Sequence, residues 1–134
     1  MSRVRKTVML MVAAAAMAVS CGGSEGDDPT VAGGATCSAT GDRVSIASDG
    51  MEYDKSCLAV AAGKDFTINF DNKERMPHNV VLLQDEDSSD AIYSGSIITG
   101  PKKVDYQVKA MAAGTYRFHC SVHPTQMKGK FLVQ

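Results

Sequence analysis

The chain of 134 residues has no tryptophan, only three histidines and only four cysteines. Its 14 basic and 15 acidic side chains nearly cancel, and this balance excludes a strongly basic nucleic-acid-binding protein. The one long apolar run, residues 8–19, is shorter than the ~20 residues that a transmembrane helix needs. No internal repeat is visible. The hydrophobic residues, 44% of the chain, suffice for the core of one domain.

Residues 1–20 have the pattern of a secretory signal peptide, with Arg3, Arg5 and Lys6 ahead of the apolar run. The run ends in small residues before Cys21, which resembles the lipobox of bacterial lipoproteins. We therefore expect an exported protein, lipid-anchored through Cys21 to the periplasmic or outer face of a bacterial membrane. A cleaved signal followed by a chance cysteine is the alternative. Removing the three basic residues from 14 leaves 11 against 15 acidic ones, a mildly acidic mature protein.

Residues 21–36 are rich in glycine and acidic side chains, and they contain too little apolar surface to fold. We expect them to form a flexible linker between the anchor and a domain at residues 37–134. That domain has an all-β pattern: short apolar or alternating segments are separated by turn signals, at residues 44–47, 66–70, 80–83, 104–108, 116–120 and 130–133. The pattern predicts a sandwich or barrel of about seven to eight strands. Only residues 85–94 favour a helical turn, capped by Ser88 or Ser89.

Four side chains form a candidate metal-ligand set. Cys120, His123 and Met127 lie within eight positions, and His78 lies upstream. A thiolate, two imidazoles and a thioether are the donors of a blue-copper site, whereas a zinc site normally uses more Cys or His and no Met. The set predicts one type 1 copper ion per chain. A nucleophilic Cys120–His123 pair fits less well, because no third group is indicated that would orient the base.

The motifs at residues 76–80 and 120–130 resemble the ligand loops of small cupredoxins of the amicyanin, plastocyanin and pseudoazurin type. The resemblance covers about residues 40–134. It implies a Greek-key β-sandwich that holds copper at one end and transfers single electrons. Carried over by position, the copper ligands are His78, Cys120, His123 and Met127. Amicyanin has two residues between the last two ligands and plastocyanin four, but this chain has three, so strict amicyanin spacing would make Gln126 the axial ligand. The Met-x-Gly pattern that follows favours Met127.

The resemblance also implies roles for the neighbours of the ligands. Asn79 is expected behind the site, where its side chain ties the two ligand loops together through Ser121. Pro77 and Pro124 stiffen the backbone beside each histidine. The ring edge of His123 is expected to be the electron port, within an apolar patch lined by Met76, Pro77 and Pro124. Met111 either joins this patch or packs in the core, and plain packing is the alternative for the other three.

Two further features remain open in the sequence. His119 precedes Cys120 on a predicted strand and should therefore point away from it, either as a surface histidine or as a second electron route. The acidic cluster at residues 85–87 and Asp90 is either a solvated loop or a docking patch for a basic partner. With Cys21 assigned to lipid and Cys120 to metal, Cys37 and Cys57 remain for a disulfide, unless one of them is a free thiol.

The leading functional hypothesis is a monomeric, tethered electron carrier that is not an enzyme. Its partners would be a cytochrome, oxidase, reductase or dehydrogenase, and not nucleic acid. The alternative is a copper chaperone or storage lipoprotein, although the four methionines beyond the signal are scattered rather than clustered. A copper nitrite reductase or multicopper oxidase needs further copper sites, and three histidines are too few to build them.

Overall fold

The structure is a computed structural model that describes residues 37–134. The predicted signal peptide, the lipidation site at Cys21 and the linker at residues 21–36 lie outside the described residues. Among residues 37–134 there is no helix long and apolar enough to cross a membrane. Eleven strands follow in chain order: β1 (Arg43–Asp49), β2 (Glu52–Tyr53), β3 (Cys57–Val60), β4 (Phe66–Asn72), β5 (Pro77–His78), β6 (Val81–Leu83), β7 (Ala91–Ser94), β8 (Ile98–Thr99), β9 (Lys102–Val108), β10 (Gly114–His119) and β11 (Lys128–Val133).

Two larger sheets form a sandwich, which confirms the predicted all-β class. The first has the order β2-β1-β4-β9 and the second β3-β11-β10-β6-β7, while β5 and β8 pair separately. Strands β1 and β4 run parallel, as do β3 and β11. Alternation along β4 buries Phe66, Ile68 and Phe70 on one face, and Phe118 and Phe131 are buried with them in one apolar core.

The strand count differs from the prediction because three strands, β2, β5 and β8, have only two residues each and give no periodic signal. The helical turn predicted for residues 85–94 is wrong. The side chain of Asp85 accepts hydrogen bonds from the Asp87 N–H and the Ser88 hydroxyl, which closes a local turn instead of capping a helix. The rest of the segment forms β7, which pairs with β6.

Strands β10 and β11 form an antiparallel pair that brings the two ends of the 120–127 loop together. Within that loop, the Cys120 N–H donates to the Met127 carbonyl at 2.9 Å, and the Met127 N–H donates to the His123 carbonyl at 2.9 Å. The other ligand loop is held by the β5–β8 pair, in which His78 lies opposite Ile98. At the start of the domain a disulfide joins Cys37 to Cys57, at the first residue of β3.

Candidate metal centre

Three predicted ligands meet at one end of the sandwich. One donor atom each from His78, Cys120 and His123 lies within 4.8 Å of the others. The Cys120 Sγ and His78 Nδ1 atoms are 3.6 Å apart. His78 and Cys120 are fully buried, whereas His123 is half-buried. The fold therefore assembles one cluster from a β5 residue and from the loop between β10 and β11, although His78 and Cys120 lie 42 positions apart in the chain.

The hydrogen bonding of the two imidazoles fits a metal. The Nδ1 atom of His123 is buried and has no hydrogen-bond partner, a costly state that a coordinated ion would relieve. On His78, Nε2 lies 2.8 Å from the Glu74 Oε1 atom. A carboxylate only accepts hydrogen bonds, so this contact assigns the proton to Nε2 and leaves the lone pair of Nδ1 directed at the cluster. Two imidazole lone pairs beside a buried thiol suit copper.

Burial distinguishes the two candidates for the axial position. Met127 has no exposed surface, and it is held next to the other ligands by its backbone bonds to Cys120 and His123. Gln126 is exposed, and its side-chain oxygen accepts a hydrogen bond from the Thr125 hydroxyl. The structure thus brings the thioether of Met127 to the interior of the cluster end and leaves the amide of Gln126 at the surface.

Asn79 lies behind the cluster and connects the two ligand loops. Its Oδ1 atom accepts from the Ser121 N–H at 3.0 Å and from the Ser121 hydroxyl at 2.9 Å. Its Nδ2 atom donates to the Gly95 carbonyl, and its own carbonyl accepts from the Tyr53 hydroxyl. Burial is the main cause that raises the pKa of Tyr53 far above its ordinary value, so this phenol remains a donor. Pro124 is exposed and follows His123 directly.

His119 is neither in the cluster nor freely exposed. Its chain neighbours Phe118 and Cys120 are buried, whereas His119 is half-buried and points the other way. Burial lowers its pKa. It lines a surface cavity of about 320 Å³ together with Leu83, Glu86, Ser88, Arg117, Phe118, Pro124 and Lys128. Within the predicted acidic cluster, Glu86 is paired with Arg117.

Met111 belongs to the core, so it is a packing residue and not part of a surface patch.

Glu74 is the site residue that sequence reasoning missed. Its carboxylate contacts both His78 and the Met51 N–H. The Met51 N–H, followed by the contact with His78, holds the pKa of Glu74 below its ordinary value. The signal in the sequence is a glutamate four residues before the first ligand, which lies just outside the motif of residues 76–80.

The chain is similar in sequence to known copper proteins. Residues 31–134 match the family model of copper binding proteins, the plastocyanin/azurin family. The plastocyanin of Chlamydomonas reinhardtii is 35% identical over 92 residues, covering 65% of this chain and 61% of that protein. The amicyanin of Paracoccus denitrificans is 33% identical over 87 residues, covering 63% and 60% respectively. The chain spans 48% of a third relative, the plastocyanin of Pisum sativum, which is 42% identical over 85 residues. The first relatives are therefore matched over about half to three fifths of their length.

Solved structures agree with the sequence relatives. Auracyanin A, a "blue" copper protein from the bacterium Chloroflexus aurantiacus, superposes with a TM-score of 0.61 at 27% identity, covering 70% of this chain and 99% of that one. Amicyanin from Paracoccus versutus superposes with a TM-score of 0.53 at 31% identity, covering 69% and 82%. The family model spans more than half of the chain and the structures share its fold. The chain belongs to the plastocyanin/azurin family of copper-binding proteins.

Proposed function

We propose that this protein is an electron carrier in which His78, Cys120, His123 and Met127 bind one copper ion. The observation that carries the proposal is the buried, unpartnered Nδ1 atom of His123 beside the thiol of Cys120 and the Nδ1 atom of His78. Bound copper would supply a one-electron couple between Cu(I) and Cu(II). Soft sulfur donors suit Cu(I) and imidazoles suit both oxidation states, so this donor set supports cycling between them.

The burial of the ligands favours electron transfer over copper delivery. Cys120 and Met127 have no exposed surface, and backbone hydrogen bonds hold their loop closed. A chaperone passes its ion on by ligand exchange, which requires the sulfur atoms of both proteins to reach the metal. Here those atoms lie beneath the surface. A rigid donor set also limits ligand movement when the charge of the metal changes, and this condition suits rapid exchange of single electrons.

The partly exposed ring of His123 is the proposed contact point for redox partners. Its chain neighbours Val122 and Pro124 are exposed, and Met76, which precedes the other ligand loop, is 43% exposed. Such an apolar rim would let a partner approach without desolvating charges. The resemblance to cupredoxins suggests partners such as a cytochrome, oxidase, reductase or dehydrogenase. No chemical step on a substrate is required of this chain, so we propose that it is not an enzyme.

We also propose that the carrier is exported and tethered to a bacterial membrane. The support lies in the sequence: an apolar run after basic residues, small residues before Cys21, and a glycine-rich linker ahead of the domain. Metabolic labelling with an alkynyl fatty acid tests the anchor. We expect the wild-type protein to be labelled and the Cys21→Ala variant to be unlabelled. Label retained in the variant would contradict lipidation at this residue.

Reversible electrochemistry tests the proposed activity. Cyclic voltammetry of the purified, copper-loaded protein should show one reversible one-electron couple, and the Cys120→Ser variant should lose it. A copper-loaded protein without a reversible couple would contradict electron transfer. Transfer of Cu(I) to a chelator measures the alternative: release within seconds would favour a chaperone, whereas the buried sulfur ligands predict retention.

A further inference from the structure

We infer that Glu74, held by the turn between β1 and β2, is a positioning residue that fixes the ring of His78 and biases the site towards Cu(II). The inference rests on the proposed copper site and extends it to a part of the chain, residues 50–51, that contains no ligand. It assigns a role to an acidic side chain and to a main-chain N–H, neither of which belongs to the ligand motifs.

One oxygen atom connects the turn to the ligand. Glu74 Oε1 lies 2.8 Å from His78 Nε2 and also accepts the Met51 N–H at 2.9 Å. The Glu74 N–H in turn donates to the Oδ1 atom of Asn72 at 3.1 Å. Asn72 is fully buried, and its amide donates to the carbonyls of Met76 and Ile98. Asn72 therefore holds the backbone of Glu74, and the Met51 N–H holds its carboxylate, so the position of Oε1 is fixed.

The turn between β1 and β2 has an uncommon backbone conformation. Gly50 has a φ of 61° and Met51 has a φ of 62°, so two successive residues between the paired Asp49 and Glu52 are left-handed. Tight hairpin turns use this conformation, which glycine adopts readily and methionine rarely. The side chain of Met51 is 45% exposed, so core packing does not hold it there. Its N–H, however, donates a hydrogen bond to the Glu74 carboxylate, and this bond offsets part of the cost of the left-handed conformation.

The consequence for the site follows from charge. His78 is fully buried, and a neutral acceptor would satisfy its Nε2–H equally well as a hydrogen bond. A carboxylate adds a negative charge one imidazole ring away from the cluster. Such a partner makes the ligand nitrogen more basic and stabilises the higher charge of Cu(II) more than that of Cu(I). The contact thus lowers the reduction potential and holds the ring orientation at once.

The reduction potential of the Glu74→Gln variant tests the electrostatic part. Glutamine keeps the shape and an accepting oxygen but removes the charge. We expect Cu(II) binding to weaken about tenfold relative to Cu(I), which corresponds to a rise of about 59 mV for one electron. Glu52→Gln is the matched control, since it removes a carboxylate of the same hairpin that does not contact His78. An unchanged potential in Glu74→Gln, or an equal rise in both variants, would overturn this role.

Hydrogen exchange at Met51 tests the geometry without copper. In the metal-free protein we expect the Met51 amide to be protected despite its position in an exposed turn. The Glu74→Ala variant should exchange this amide at least about tenfold faster, because losing a hydrogen bond to a charged group costs more than the ~1.4 kcal/mol that corresponds to tenfold. The Asp54 amide, which donates to the Ala47 carbonyl, reports whether the hairpin remains folded. Equal exchange at Met51 in the two proteins, with Asp54 unchanged, would overturn the contact. Because this measurement needs no redox chemistry, it is independent of whether the protein carries electrons.

Discussion

The side-chain oxygen of Asn79 accepts two hydrogen bonds from Ser121, one from its N–H and one from its hydroxyl, across 42 residues of sequence. Asn79 directly follows the ligand His78, and Ser121 directly follows the ligand Cys120. The pair therefore fixes the distance between the two ligand loops before any metal binds. Preassembly of this kind is what lets widely separated residues offer donors to one ion.

Replacing Asn79 with Ala should lower the free energy of unfolding by about 3 kcal/mol, because it leaves Ser121 donors and the Gly95 carbonyl without their partner. Ser121→Ala removes only the hydroxyl bond and should cost about 1 kcal/mol. Urea unfolding of the two variants measures the difference. Equal losses would show that the Ser121 N–H and the Gly95 carbonyl do not depend on Asn79.

The disulfide between Cys37 and Cys57 closes a loop with a sequence separation of 20. Replacing both cysteines with serine should lower the free energy of unfolding by about 3 kcal/mol, since the unfolded chain regains the entropy of that loop. Urea unfolding measures the loss, and the reduced wild-type protein provides the matched control. A stability within 0.5 kcal/mol of wild type, as an order-of-magnitude limit, would contradict a structural role.

Gly129 of β11 pairs with Phe118 of β10 and lies against the Phe118 ring. A Cβ atom at this position would overlap the ring and the Ser56 carbonyl oxygen, which is backbone and cannot move aside easily. Gly129→Ala should therefore lower the free energy of unfolding by about 1–3 kcal/mol. Gly114→Ala on β10 is the control, because its nearest contact, with the Tyr116 ring, would be 3.4 Å. Similar thermal melting of both variants would refute the overlap.

Two surface carboxylates predict how stability depends on pH. The Lys109 ammonium and the Ala110 N–H lower the pKa of Asp65, and the Asn69 amide and Arg43 lower that of Asp105. Because both pKa values are lower in the native than in the unfolded state, their stabilisation is complete above the unfolded value of about 3.9. It is lost as the pH falls through the lower native values.

Urea unfolding at a series of pH values should thus show a decline in stability below about pH 4. The Asp65→Asn variant should show a shallower decline, because it has one fewer carboxylate to protonate. An identical pH dependence in the variant and the wild type would contradict the contribution of the Asp65–Lys109 contact.

Sequence periodicity was sufficient for the longer strands, because a strand that is buried on one face alternates apolar and polar residues, as in β4 and β9. It failed at residues 91–94, where β7 is mostly exposed and its pairing with β6 depends on a partner elsewhere in the chain. Strands of two residues could not be predicted either, because they are too short to show a periodic pattern and form only through tertiary contacts.

The candidate ligands were predictable because the identity of a residue determines which donor atom its side chain offers to a metal. Counting positions could not decide between Gln126 and Met127, since loop length alone does not show which side chain points inward. The structure distinguishes the two side chains: Met127 is buried, and its N–H donates to the His123 carbonyl. Glu74 was missed for a similar reason: a glutamate side chain has many rotamers, and only the structure shows its contact with His78.

Four side chains, those of His78, Cys120, His123 and Met127, form the proposed blue-copper site. Visible absorption and EPR spectra of the purified protein, titrated with Cu(II), test it most directly. We expect an intense blue band that is lost in Cys120→Ser, shifted in Met127→Leu and unchanged in Gln126→Ala. A shift in Gln126→Ala without one in Met127→Leu would reassign the axial ligand. The absence of any blue band in the wild-type protein would contradict the copper site itself.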